Sequence, residues 1–224
     1  MNNKWFENAK SELGKKYNFI NWFLGNLFVG LGVCLATKSD FGLSMIAAPP
    51  YILHVWLRDS FPFFTQGTAE YVFEAIVLII TCIIVRKFRL RYLLSFGEAV
   101  VAGLFIDGWF LVFGGNGAYT SMTLRIIALI LGLIMVALGV AFFFRTTLPL
   151  QTYELSVVEI ARAYNLEQHR VKQVFDAVLL AVSLILSFAL TGKLTGIGIS
   201  TVLAVLVNAR IIQFTGRIID KLEK

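Results

Sequence analysis

The sequence predicts an all-α membrane protein: six transmembrane helices arranged as two inverted three-helix repeats, each repeat carrying a short re-entrant or interfacial helix. Three observations carry this expectation. The composition is too apolar for a soluble domain, the chain contains two similar halves, and its cations are sorted to one side of the apolar runs.

Of 224 residues, 58% are hydrophobic and 15% charged, with a mean hydropathy of +0.76. A soluble domain of this length cannot bury that much apolar surface. The net charge of +6 does not point to nucleic acid, because the cations lie at the ends of apolar runs, where a solvated membrane flank accounts for them. Cys34 and Cys82 fall inside apolar runs and read as small packing residues, with neither a disulfide nor a metal role.

The internal similarity is ordered. Leu24–Ser44 falls on Leu131–Gln151 at a constant offset of 107, matching Gly25 with Gly132, Val29 with Val136, Gly32 with Gly139 and Leu43 with Leu150, with Lys38 opposite Arg145. Gln66–Leu78 falls on Gln168–Leu180 at an offset of 102, matching Val72-Phe73 with Val174-Phe175 and Glu74 with Asp176. Two repeats follow, residues 17–113 and 124–216, behind a polar segment 1–16 that fits a surface helix.

Spans are expected at 18–37, 69–85, 93–113, 124–144, 173–190 and 194–214, each near the ~20 residues that cross about 30 Å of hydrocarbon. The first has a repeat partner and is expected to be a permanent span, although a basic start and Cys34-Leu-Ala36 loosely resemble a cleaved leader. Between spans lie two shorter segments. Met45–Leu57 is broken by Pro49-Pro50, and Thr152–Tyr164 is amphipathic; neither is long enough to cross. Each repeat thus reads as span, short helix, span, span. With the N-terminus inside, 15 of the 20 Lys and Arg lie inside, and Lys38, Arg58, Arg125 and Lys193 outside, so the positive-inside rule selects N-in and C-in. Three spans per repeat is odd, so the second copy is inverted, an arrangement common among secondary transporters.

Candidate site residues come from two places. The short segments are entered through Lys38–Ser44, with Asp40, Gly42 for a turn and Ser44 as a cap, and through Arg145–Gln151, followed by Glu154 and Glu159. Ionisable residues inside spans are the second source, because a charge in hydrocarbon costs several kcal/mol unless paired, hydrated or used. Glu74, Glu98, Asp107, Asp176 and Arg210 qualify, and repeat symmetry makes Glu74 and Asp176 the first choice for substrate or proton contact. The plainer alternatives are interfacial short helices that pack the bundle edge and charges that snorkel or pair at helix ends.

Other chemistry is poorly supported. Gly196-Ile-Gly198 lacks the strand, lysine and polar setting of a phosphate loop. His54 and His169 are isolated, no HExxH or GxSxG occurs, and neither an enzyme, a metal site nor a cofactor is expected. The glycines at 25, 30, 32, 132 and 139 suit close helix packing, and small-residue faces also suit a homodimer.

Lys38-Ser-Asp-Phe-Gly-Leu-Ser44 with Ala48-Pro-Pro-Tyr-Ile-Leu53, Val171-Lys-Gln-Val-Phe-Asp176 and Thr195-Gly-Ile-Gly-Ile-Ser-Thr201 resemble the YczE/YitT group of bacterial integral membrane proteins over nearly the whole chain. The resemblance implies a small protein of the bacterial cytoplasmic membrane, a transporter or a membrane accessory factor, with no established catalytic set. The chain departs from the group's glycine-proline pair near the end of the last span, where it has Asn208-Ala-Arg210. Together these readings lead to the expectation of a small-molecule secondary transporter, proton-coupled through Glu74 and Asp176, with the lipid bilayer and a solute as partners. The alternative is a non-transporting accessory or scaffold protein for a biosynthetic or envelope enzyme.

Overall fold

The computed structural model describes residues 18–115, 117–149 and 151–204, together with Phe214. The expected surface segment 1–16, Arg210 and the His169 side chain lie outside the described residues. Among the described residues the chain is all-helical. The elements are α1 (Asn18–Ser39), α2 (Ala48–Leu57), α3 (Gln66–Val85), α4 (Arg91–Val112), α5 (Met122–Phe143), α6 (Thr152–Ala163) and α7 (Gln168–Leu186), the last extended by a π-turn, Ser187–Thr191. Five of these helices are long and apolar enough to cross a membrane: α1, α3, α4, α5 and the stretch Arg170–Thr191. The protein is a multi-pass membrane protein. Of the sixth expected span, 194–214, residues 194–204 and Phe214 are described: 194–198 form a loop, and 199–204 and Phe214 are helical. That helix begins five residues later than hydropathy predicts, because Gly192 and Gly196 take positive φ (66° and 73°) and turn the chain through an apolar loop.

The most extensive packing joins α1 to α5, which run antiparallel. Glycine sets their separation. A Cβ on Gly32 would stand 2.9 Å from the carbonyl oxygen of Gly132, and one on Gly139 would stand 2.7 Å from that of Gly25. With no solvent to drive helices together in lipid, this backbone approach is what gives the pair its dispersion contacts. The ends are tied in matching fashion. Asn18, opening α1, accepts from the Thr146 hydroxyl (2.7 Å) and the Thr147 amide (2.6 Å) just beyond α5. Arg125, in the first turn of α5, donates to Ser39 O (2.8 Å) and to the Asp40 carboxylate (3.0 Å) at the end of α1.

On one side of this pair stand α3 and α4, antiparallel and closely packed where Gly67 meets Gly103. Asp107 fixes their register: its carboxylate accepts from the Gly67 amide (2.8 Å) and the Thr65 hydroxyl (2.6 Å), filling orphan donor positions at the start of α3. Because α3 and α4 alternate in direction, the bundle has an arginine face, holding Arg86 to Arg91 and the end of α6, and an opposite face, holding Asp40, α2 and the start of α3.

The two short helices match the predicted pair. α2 opens on Pro49-Pro50 in its first turn, where proline costs no hydrogen bond. Ser44 Oγ accepts from Ala47 N (3.3 Å), within the turn before the helix, so it does not cap α2 itself. α6 is re-entrant with respect to the bundle. Its first amide, Thr152 N, lies 3.0 Å from Glu74 Oε2, about 12 Å along α3 at 1.5 Å per residue. From there α6 runs alongside α3, through Thr81 to Ser156 (2.7 Å) and Tyr164 to Ile84 O (2.9 Å), out to the arginine face. Just before α2, Ile46 packs on the core of Phe73, Val77, Tyr153 and Leu179, so both short segments begin against one apolar cluster. Gly42, at φ 101°, lets the Phe41–Leu43 turn approach Gly198, where Leu43 N donates to Gly196 O (2.9 Å) and Ser200 N to Phe41 O (2.9 Å). Gly196 and Gly198 are thus explained by backbone packing.

The glycine contacts give a direct prediction. Gly32→Ala is expected to destabilise by about 1–3 kcal/mol through overpacking, whereas Gly97→Ala, where an added Cβ meets nothing within 4 Å, is expected to be neutral or stabilising by up to about 1 kcal/mol. Thermal melting of the two variants in detergent checks it; equal effects would contradict the role given to the α1–α5 approach.

Candidate functional site

The α3 helix carries a polar stripe in an otherwise apolar span. Gln66, Glu70, Glu74 and, two turns on, Thr81 are all buried; the first three recur every fourth residue and so share one face. Glu74 is wholly buried at 0% exposure, and Glu98, from the middle of α4, is 3% exposed. Glu98 lies within electrostatic reach of both Glu74 and Glu70, and the Asn26 side chain of α1 faces it. From α6, Thr152 offers its amide to Glu74, and the Tyr153 hydroxyl donates to Glu70 Oε1 (3.3 Å). Burial beside these acids holds the Tyr153 phenol well above its ordinary range, so it serves as a neutral donor. The ring of Phe73 stands 6.5 Å from that of Tyr153, tilted by 35°.

These groups are under-satisfied. Both amide atoms of Gln66 and Oε2 of Glu70 are buried without a hydrogen-bond partner, while Glu98 is faced only by the Asn26 side chain and Glu74 only by the amide and hydroxyl of Thr152. None of the three glutamates is ion-paired with a described residue. An unpaired buried polar atom costs roughly 1–3 kcal/mol, and a charged one more. Among the described residues no three acids, histidines or cysteines converge closely enough to hold one metal ion.

The remaining candidates fall elsewhere. Asp40, at φ 56°, is an exposed partner of Arg125 at 3.0 Å. Asp107 is the helix anchor already described. Arg145 is buried and donates to Ala141 O (2.7 Å) at the end of α5. Glu154 and Asp176 share Lys172, each at 3.1 Å, so Asp176, which the sequence match sets opposite Glu74, is charge-balanced where Glu74 is not. Glu70 and Gln66 escape a reading from hydropathy because they stand at the margin of the apolar run; their spacing with Glu74 is the signal that identifies the stripe. His54 donates from Nδ1 to Phe64 O (2.7 Å), tying α2 to the loop before α3.

Glu159 on α6 was expected only as part of a short segment, and it proves to be a buried clamp. It accepts from the Tyr92 hydroxyl (2.7 Å) and from Arg162 (2.8 Å), and pairs with Arg89 at 3.4 Å and with Arg91. This closes the arginine face over α6. On the opposite face a cleft of about 350 Å³ opens between the end of α1, α2 and the loop after the π-turn, lined by Thr37, Asp40, Tyr51, Arg58, Lys193 and Thr195.

Residues 16–217 match the model of a family of unknown function, DUF6198. The chain belongs to this family. A relative is the uncharacterized protein YyaS of Bacillus subtilis (strain 168), 26% identical over 207 residues, covering 91% of this chain and 94% of the relative. No solved structure matches the chain.

The clamp yields a stability prediction. The arginines are about half exposed and their pairing is screened, so Glu159→Gln is expected to lose chiefly the charge-assisted bond from Tyr92, about 1.5–3 kcal/mol. Tyr92→Phe should reproduce most of that loss in a melting experiment, and the double variant should add little to either single one. Full additivity would contradict the clamp.

Proposed function

We propose that the protein is a secondary transporter of a small solute, proton-coupled at Glu74, Glu70 and Glu98, in the bacterial cytoplasmic membrane with N-terminus and C-terminus inside. The observation that carries this reading is three buried carboxylates in the interior of membrane-spanning helices, none neutralised by a basic residue of the described chain. Such groups are expensive in lipid and are kept where a proton or ligand repays them. The kinship with the YczE/YitT group drawn from the sequence motifs is part of the same proposal.

The inverted repeat supplies the mechanism, and specific contacts support it. Gly25 and Gly132 hold one repeat position, Gly32 and Gly139 another, and each glycine faces the copy of the other. Asn18 and Arg125 are also repeat partners, and each reaches the residues just past the end of the other's partner helix. These are the pairwise exchanges expected of a two-fold axis in the membrane plane. Under that axis α2 and α6 are exchanged gates. The Glu159 clamp holds the inner gate shut, and the opposite cleft is the mouth of the outward-open state.

Proton coupling acts through the N-terminus of α6. An ionised Glu74 accepts from Thr152 N at the positive end of the helix dipole, a charge-assisted bond. Protonation removes that charge and loosens the hold on α6, so the occupancy of Glu74 biases the inner gate. Asp176 is already balanced by Lys172 and does not take this role.

Reconstituted vesicles with an imposed pH gradient test the proposal. A panel of amines, organic acids, amino acids and sugars should contain a solute whose accumulation follows the gradient. Glu74→Gln and Glu98→Gln should reduce that accumulation to the level of protein-free vesicles, and Asp176→Asn should leave it within about twofold. A panel with no gradient-driven solute would favour an accessory role for a membrane enzyme.

A further inference from the structure

The acid cluster carries information about the charge and shape of what it takes. This rests on the transport reading above. The stripe of Gln66, Glu70 and Glu74 faces Glu98 across α3 and α4, and the titratable groups brought to it are these three carboxylates and Tyr153 from α6; α1 contributes the neutral Asn26. No Lys or Arg of the described chain pairs with any of the three glutamates. An anion entering such a site meets only like charge, and a sugar-like solute leaves the charge uncompensated in a low-dielectric interior.

The second observation is the set of unpartnered atoms. Gln66, at 1% exposure and one turn before Glu70 on the same face, has both its carbonyl and its amide nitrogen without partners, and Glu98 is faced only by the Asn26 side chain. These are mostly acceptors, and they await donors. The third is the apolar wall. Phe73 is adjacent to Glu74, its ring pairs with that of Tyr153, and Val77 and Leu179 complete the cluster. Carboxylates beside aromatic faces suit a cation that keeps an apolar body, since the ring quadrupole and the acid both favour positive charge.

We infer that the cluster binds a protonated amine carrying an apolar or aromatic body, its ammonium held between Glu98 and the Glu70–Glu74 stripe and its body against Phe73 and Tyr153. Amine and proton then compete for the same carboxylates. Exchange of one for the other across the membrane follows from that competition without any additional coupling site.

The test uses three probes of one shape, 2-phenylethylamine, 2-phenylethanol and phenylacetate, added to the purified full-length protein in a melting experiment. The amine alone should raise the melting temperature in a concentration-dependent way, as expected for a ligand of the folded state. Its apparent affinity should weaken by about tenfold for each pH unit below the site's titration, one proton displacing one amine. Glu98→Gln and Glu70→Gln should each weaken it at least about tenfold, equivalent to about 1.4 kcal/mol, while Glu167→Gln, on the exposed α6–α7 connection, should not change it. Cooperative melting of each variant without probe shows that it is folded, and the two acids provide independent variants. Binding of the alcohol or the acid in place of the amine, no shift with any probe, or an amine shift unchanged in folded Glu98→Gln and Glu70→Gln would overturn the inference. Gradient-driven flux of a neutral or anionic solute without amine binding would remove the cation class and leave transport standing. Amine binding without gradient-driven flux of any solute would do the reverse.

Discussion

The close antiparallel approach of α1 and α5 is the constraint on which the other positions depend. Gly25, Gly32, Gly132 and Gly139 bring two backbones to a separation that no side chain allows, and in lipid that contact replaces the hydrophobic drive available to soluble bundles. Asn18 and Arg125 pin both ends of the pair. With α1 and α5 fixed, α4 has a firm surface to pack on along α1 and α3 packs in turn on α4, and the chain leaving α5 is turned back into the bundle at Arg145. It is this return that sets the first amide of α6 beside Glu74 at mid-depth.

The molecule treats its buried acids in two opposite ways, and the contrast separates structural from functional roles. Glu159 is satisfied four times over, by Tyr92 and three arginines, and Asp107 is filled by one amide and one hydroxyl. Both hold elements in register. Glu98 is faced only by the Asn26 side chain, Glu74 only by Thr152, and Glu70 leaves one oxygen unpaired. A folded chain that can build the first kind of site could have filled the second. The open valences lie together, along one face of α3 and against the start of a half-helix, which is where membrane proteins keep groups that change their occupancy.

Much of the fold was legible because hydropathy and length speak directly. The spans at 18–37, 69–85, 93–113 and 124–144 lie within two or three residues of the observed helices, and both short segments are helical as their proline and amphipathic patterns suggested. Less was legible at the ends. Loop chemistry at Gly192 and Gly196 delays the last helix, since hydropathy cannot distinguish an apolar loop from a span. Among the site residues, Glu74 and Glu98 stood out as charges within apolar runs. Gln66 and Glu70 did not, because position in a run says nothing about which neighbour covers it. The sequence match suggested equal roles for Glu74 and Asp176, but Asp176 is paired with Lys172, whose ammonium has no counterpart beside Glu74.

In the proposed cycle the charge on Glu74 governs the position of α6. Spin labels at the exposed positions Leu90 and Ala163, on either side of the Glu159 clamp, report the separation of α6 from the α3–α4 loop in lipid nanodiscs. Two distance populations are expected, with a ratio that shifts as the pH is changed and no longer responds once Glu74 is replaced by glutamine. A single distance at every pH, or a pH response that survives Glu74→Gln, would contradict it.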